Sequence, residues 1–514
     1  MSCGTPYRGA LGFLVAALLL SPATGAAKPG ELEFVGRYDS GIVDSAATES
    51  AAYYPGSQRL FVVNRSEESL DVIDISEPGE PALLGSLPLD RAPTSVAVSG
   101  DMIAVSVPAE PITEPGAVIV FDPLGAKTAT FEAGAGPKMV AFSTDGRFLV
   151  CANEGVPSDD YQTDPPGTVT VIDLEAGIDQ ARVSTIGFED FNEQSIDGIH
   201  AGRPESSNAQ NFEPEFVAIA SDQITAYVSL QESNAIAVLD LETPSVTDVI
   251  GLGFKDHSVI GLDANDTDEA VNIRTWPVLG LYQPDAIAAY EVEGQSYLIT
   301  VNEGEVRNYD GWSEEVRVQD LSLDPEAFDD PSALQAPTQL GRLVTTSAMG
   351  DDDGDGDHER IFSFGGRSFS IRSASGELLF DSGDMFEREM AQRFPDFFNA
   401  SEQRSDRDAR SDDRGPEPEG VAVARIGDRT FAYIGLEQIG GVMIYDVSDP
   451  KAPSMVGYHT TRDFEGSLTI GGAGDISPES LIAVDASESP NEQPLLIAAH
   501  EVSGTIAIFR ILTE

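Results

Sequence analysis

From about residue 30 onward, apolar and polar residues alternate in short runs bounded by Gly, Pro, Asp and Ser, and stretches with helical spacing are few. This pattern predicts an all-β chain. The runs also repeat. Each copy opens with a proline, a polar residue and an apolar stretch: Pro93-Thr94-Ser95-Val96-Ala97, Pro137-Lys138-Met139-Val140-Ala141, Pro214-Glu215-Phe216-Val217-Ala218, Pro284-Asp285-Ala286-Ile287-Ala288, Pro418-Glu419-Gly420-Val421-Ala422 and Pro478-Glu479-Ser480-Leu481-Ile482. Thr48-Glu49-Ser50-Ala51-Ala52 is a further copy without the proline. A second strand follows and ends in an acid at Glu154, Glu232, Glu303, Glu437 and Glu501. A third closes on aspartate at Asp74, Asp122, Asp173, Asp240 and Asp446, where the side chain is expected to cap a turn.

A self-similar unit of roughly 40 to 50 residues with four short strands is the signature of a β-propeller blade. The expectation is a single propeller over residues 31–514, with seven blades favoured and eight as the alternative. The last unit supplies only three strands, so residues 31–38 are expected to add the fourth and close the ring, which removes exposed strand edges. The copies opening at Pro284 and Pro418 lie too far apart for one blade, which predicts a long insertion around 304–416. In the eight-bladed alternative, residues 343–380 form the extra blade. A helix is expected over 385–394.

The N-terminus carries Arg8, an apolar run over 10–20 and small residues over 21–27. It reads as a secretory signal (residues 1–26), too short to span a membrane, which places the mature product in the periplasm or outside the cell with no transmembrane segment. One thiol then remains, Cys151, expected as a packed strand residue. Composition sharpens this picture: 87 acidic against 30 basic side chains give a formal charge of -57, which excludes nucleic acid as a partner. With 41% hydrophobic residues the chain can still bury a large core.

The acids are also placed by the repeat. In a propeller the innermost strand starts at the top face and the second strand returns to it, so Glu49, Glu215, Asp285, Glu419 and Glu479 should converge on the mouth of the central channel. Glu154, Glu232, Glu303, Glu437 and Glu501 should lie just outside them. So many carboxylates repel one another unless cations neutralise them or some stay protonated. Oxygen ligands of this kind suit Ca²⁺, or Mg²⁺ or another hard divalent cation, and the five histidines show no zinc spacing. A separate loop, Asp351-Asp352-Asp353-Gly354-Asp355-Gly356-Asp357-His358-Glu359, places Asp351, Asp353, Asp355 and Asp357 at the alternate positions of an EF-hand-like calcium loop. Its twelfth position is Phe362, so a further carboxylate must come from elsewhere.

Four loops carry a family resemblance: Ala152-Asn153-Glu154-Gly155-Val156-Pro157-Ser158-Asp159-Asp160-Tyr161; Val301-Asn302-Glu303-Gly304 running on to Tyr309-Asp310-Gly311-Trp312-Ser313-Glu314-Glu315; residues 253–258; and Ser411-Asp412-Asp413-Arg414-Gly415-Pro416-Glu417-Pro418-Glu419-Gly420. Together they resemble the choice-of-anchor I family, which is similar to animal mesenchyme-specific cell-surface glycoproteins and carries LVIVD-type propeller repeats; Val442-Met443-Ile444-Tyr445-Asp446-Val447-Ser448-Asp449-Pro450 looks like one. The resemblance implies a secreted or surface-associated propeller. Some relatives bear alkaline-phosphatase-like labels, and Pro418-Glu419-Gly420 is similar to the metal-binding inner strand of lactonase- and phytase-like propellers. Two functions are therefore expected as alternatives. One is a binding or surface-associated module holding divalent cations, with its ligand unknown. The other is a metal-dependent phosphoesterase acting on a phosphate ester, in which Glu419 or Glu303 orients water and Arg414 or Arg307 clamps the phosphate.

Overall fold

The structure, a computed structural model, describes residues 28–268, 270–468 and 472–514, so the expected signal segment lies outside the described residues. The repeats fold into seven four-stranded antiparallel sheets, over residues 51–88, 95–135, 137–186, 214–251, 287–381, 418–459 and 478–511. The last of these takes its fourth strand from the other chain end: Leu32–Asp39 is hydrogen-bonded along Thr505–Ile511, with Leu32 opposite Ile511 and Asp39 opposite Thr505. Innermost strands lie side by side in chain order, Ala51–Tyr54 against Ser95–Ser99 and so on, and Pro478–Val484 lies against Ala51–Tyr54 again. This is a β-propeller.

Each strand's place in its sheet explains its pattern. Phe148–Asn153 and Leu495–His500 are second strands covered on both faces by neighbouring sheets, and every residue in them is buried. The outer strand Ala82–Pro88 is solvent-exposed along nearly its whole length. Between the third and fourth sheets, Phe148, Val150 and Val171 pack with Val217, Val228 and Leu239.

The long interval resolves differently from a single insertion. Gln295–Asn302 pairs with Ser368–Ser373, which pairs with Leu378–Asp381, so the fifth sheet is completed from inside the expected 304–416 excursion. Val344–Thr346 and Phe362–Ser363 join Phe254–Asp256, Leu279–Leu281 and Glu315–Arg317 in a separate five-stranded sheet. Residues 343–380 are thus divided between two sheets and do not form an eighth blade. The helix Met385–Arg393 buries Phe386 and Met390, one turn apart, against Phe369 and Tyr445. No helix among the described residues is long and apolar enough to cross a membrane.

Candidate functional site

Proline at the head of an inner strand has no N–H to contribute to the ladder, which suits a strand's first residue. At Pro137, Pro214, Pro418 and Pro478 the pairing register shifts within the next three residues. Such bulges re-aim the side chain that follows. Here that residue is Lys138, Glu215, Glu419 or Glu479. Just before the proline, Gly136, Gln283, Glu417 and Ser477 all adopt left-handed backbone. Their carbonyls accept hydrogen bonds from the amides of Glu154, Gly304, Glu437 and Glu501, respectively. One turn geometry therefore sets both the inner and the outer ring of charged side chains.

The inner ring encloses a cavity of about 210 Å³ lined by Glu49, Thr94, Lys138, Glu215, Asp285 and Glu479, with Gly420 next to Glu419. A Cβ on Gly420 would lie 2.5 Å from the Glu479 carbonyl oxygen, so the two inner strands can approach here only with glycine. The ring is not uniformly acidic: Lys138 Nζ sits 2.7 Å from Glu215 Oε1. Arg65 Nη1 holds Glu49 Oε1 at 2.8 Å, while Glu49 Oε2 is buried with no hydrogen-bond partner. Glu419 Oε2 is likewise buried and unpartnered. Outside it, Glu303, Glu417 and Glu437 bring ligand atoms within 4.8 Å of one another.

Burial raises these carboxyls, and their mutual repulsion adds to it. Glu154 is pushed up to about 8, by burial first, with Glu215, Glu213 and Glu305 adding to the rise and Lys138 opposing it. Asp285 reaches about 7 by burial and then by Glu215, and Glu501 about 7 by burial and then by Glu49. Glu419 is held well above the carboxylate range by burial, then by Glu479, Glu437, Glu303 and Asp285. Glu479 and Glu437 shift the same way for the same reasons. A mouth of this composition has the donor chemistry to take up cations or protons.

The two arginines expected to clamp phosphate do not face a ligand. Arg307 is 2% exposed, and its guanidinium donates to Glu213 Oε2 at 2.8 Å and to the Asn211 carbonyl at 2.8 Å. Arg414 bridges Glu303 at 3.3 Å, Glu305 at 3.2 Å and Glu417 at 3.0 Å, and also donates to the Gly304 carbonyl. Both spend their charge on carboxylates of the chain itself.

The acidic loop is split. Asp351, Asp353 and Asp355 are exposed and form one group, whereas Asp357 groups with Asp324 and Glu359. Asp351 accepts the amides of Gly354 at 2.7 Å and Gly356 at 3.1 Å. The third-strand aspartates cap turns: Asp74 accepts from Ser76 N at 2.8 Å, Asp122 from Leu124 N at 2.9 Å and Asp446 from Ser448 N at 3.0 Å. Cys151 is buried, and burial pushes its thiol far above the usual range.

Sequence reasoning did not single out Lys138 as the basic member of the acidic ring, although the repeat places it at the acidic position. It also passed over Glu213 and Glu417. Both precede the proline in a Glu-Pro-Glu triplet, and each is held by an arginine, Glu213 by the buried Arg307 at 2.7 Å and Glu417 by Arg410 at 2.5 Å.

Comparison with known proteins agrees with this architecture. A chain of Kuenenia stuttgartiensis hydrazine synthase superposes with a TM-score of 0.50 at 14% identity, over 93% of this chain and all of that one, a likeness of fold alone. Gigasin-3a of Magallana gigas is 31% identical over 191 residues, 35% of this chain and 67% of its own length. The mesenchyme-specific cell surface glycoprotein of Strongylocentrotus purpuratus is 29% identical over 314 residues, which span 52% of this chain and 40% of the glycoprotein. The model of the choice-of-anchor I domain matches residues 49–450, a span that starts at the first ring glutamate and takes in five whole sheets and three strands of the sixth, up to the end of the LVIVD-like segment. This chain belongs to the choice-of-anchor I family.

Proposed function

We propose that the protein is a secreted or periplasmic, surface-associated binding module whose mouth holds a hard divalent cation, Ca²⁺ foremost, against Glu419 with Glu303, Glu437 and Glu479. The observation that carries this reading is Glu419 Oε2, buried without a partner among four other carboxylates. All-oxygen donors favour Ca²⁺ or Mg²⁺ over softer metals. Surface association is supported by the family and by the cell-surface glycoprotein among its relatives. The exposed 351–357 loop would take the same ion more weakly, because its carboxylates already accept its own amides. The phosphoesterase reading has no observation in its favour, since Arg307 and Arg414 are both committed to carboxylates.

Calorimetric titration of Ca²⁺ into chelator-treated protein tests this directly. Glu419→Gln, which keeps shape and removes one charge, is expected to weaken the tightest binding event by at least about tenfold while leaving the far-ultraviolet spectrum unchanged. Equal affinities in the two proteins would remove Glu419 from the site and this reading with it.

A further inference from the structure

A second group of buried charges lies beside the mouth, where the third and fourth sheets meet the hairpin Asn308–Tyr309/Trp312–Ser313. Most of its acids have a partner. Glu215 has Lys138 at 2.7 Å, Glu213 has Arg307 at 2.7 Å, and Glu314 has His200 Nε2 at 2.7 Å. Among the described residues, the carboxylates of Glu154 and Glu232 have none. Glu232 is 5% exposed, and its Oε2 is buried without a hydrogen-bond partner. Burial first, then the charges of Glu213, Glu154 and Glu215 against that of Arg307, raise its carboxyl, so it stands among these groups.

We propose that Glu154 and Glu232, beside Tyr309, form a second divalent-cation site distinct from the Glu419 cluster. Two unpaired carboxylates carry the charge that one divalent ion neutralises. The pairs Lys138–Glu215 and Arg307–Glu213 are internally balanced, and Lys138 and Glu215 line the channel. Tyr309 stands in the same charged surroundings: burial first, then the charges of Glu213, Glu232 and Glu154, hold its phenol far above the usual range, so it remains an O–H group. The hairpin that carries Tyr309 is firmly placed. Tyr309 and Tyr161 meet edge-on at 5.2 Å, and Gly311 N donates to the Asp159 carbonyl at 2.7 Å. A Cβ on Gly311 would lie 2.4 Å from the Asp160 carbonyl carbon, so only glycine permits that contact. Ca²⁺ takes six to eight oxygens, and water completes the shell that two carboxylates begin.

The site shares with the mouth reading only the premise that the protein binds hard cations, and its test keeps the two apart. Tb³⁺ replaces Ca²⁺ and emits when a tyrosine or tryptophan close to it is excited. The channel lining contains neither, whereas Tyr161, Tyr309 and Trp312 cluster at the proposed site. Chelator-treated protein titrated with Tb³⁺ is expected to show sensitised emission. Glu232→Gln and Glu154→Gln should each reduce that emission by about tenfold and lower Ca²⁺ stoichiometry by one equivalent, while Glu419→Gln retains the emission. Thermal unfolding in chelator guards against misfolding, because each Gln variant loses an unneutralised buried charge and should be at least as stable as the parent. Unchanged emission in both Glu232→Gln and Glu154→Gln overturns the second site and leaves the mouth reading standing. Loss of emission in those two variants, with Ca²⁺ binding unaffected by Glu419→Gln, supports the second site and overturns the mouth.

Discussion

In the presence of chelator, the protein is expected to unfold at a lower temperature at pH 8 than at pH 5, and Ca²⁺ should remove the difference. The direction follows from the raised carboxyls. A carboxyl whose folded pKa lies above its unfolded value favours the folded state only as the neutral acid, so it begins to destabilise the fold as pH rises past the ordinary 4.5 and stops adding once pH passes the folded value. The window therefore opens at about pH 4.5 and extends at least to about pH 8, with Asp285 and Glu501 near 7, Glu154 near 8, and Glu419, Glu479 and Glu437 held well above the carboxylate range by burial and by one another. Carboxyls held low, such as Asp475 and Glu314, act the other way but only below this window. Each unit of displacement corresponds to about 1.4 kcal/mol, and several groups move together, so a difference on the order of 10 °C is expected even after screening. Bound Ca²⁺ replaces the protons and stabilises by mass action, about 4 kcal/mol at a thousandfold excess over Kd. Calorimetric unfolding across pH 5 to 8, with chelator and with Ca²⁺, measures both effects. A chelated protein equally stable at both pH values would show that the ring is neutralised in some other way.

Lys138→Met should give the other large effect. Lys138 is the built-in cation of the ring: it pairs with Glu215, whose side chain is 6% exposed, and also offsets Glu154 and Asp285. Removing one partner of a fully buried pair costs about 3–5 kcal/mol; Lys138 is 43% exposed in its side chain, so solvent screening reduces the cost here to roughly 2 kcal/mol. In chelator the variant should therefore unfold several degrees below the parent. Its excess of unpaired carboxylates should then take up one more equivalent of Ca²⁺ than the parent and recover more stability from it. Parental stability and stoichiometry in Lys138→Met would mean that the lysine carries no share of the ring's neutralisation. Thr94, at the same position of the second sheet, is neutral and hydrogen-bonds the Pro137 carbonyl at 2.7 Å, so it offers no substitute charge.

How much of this was legible follows the length of each signal. The proline-led copies placed six of the seven inner strands, and the segment expected as 31–38 pairs with the last strand as Leu32–Asp39. The acids following those prolines converge because a bulge in a repeated register acts alike in each copy. The five-stranded sheet was not legible: its strands are two or three residues long, too short for alternation to register, and they come from chain segments a hundred residues apart. Partner choice was equally hidden. Arg307 and Arg414 stand in acidic loops and read as ligand-binding arginines, but the sequence does not show that Glu213 and Glu417 fold back to meet them. Lys138 was visible at its repeat position, and only the ring geometry gave its ammonium group a role.

A crystal grown in Ca²⁺ tests the central claim most directly. Strong electron density at carboxylate distance, about 2.3–2.6 Å from Glu419 together with oxygens of Glu303, Glu437 or Glu479, is the predicted result. A mouth that holds only water at millimolar Ca²⁺, with Glu419 and Glu479 sharing a proton between them, would contradict it.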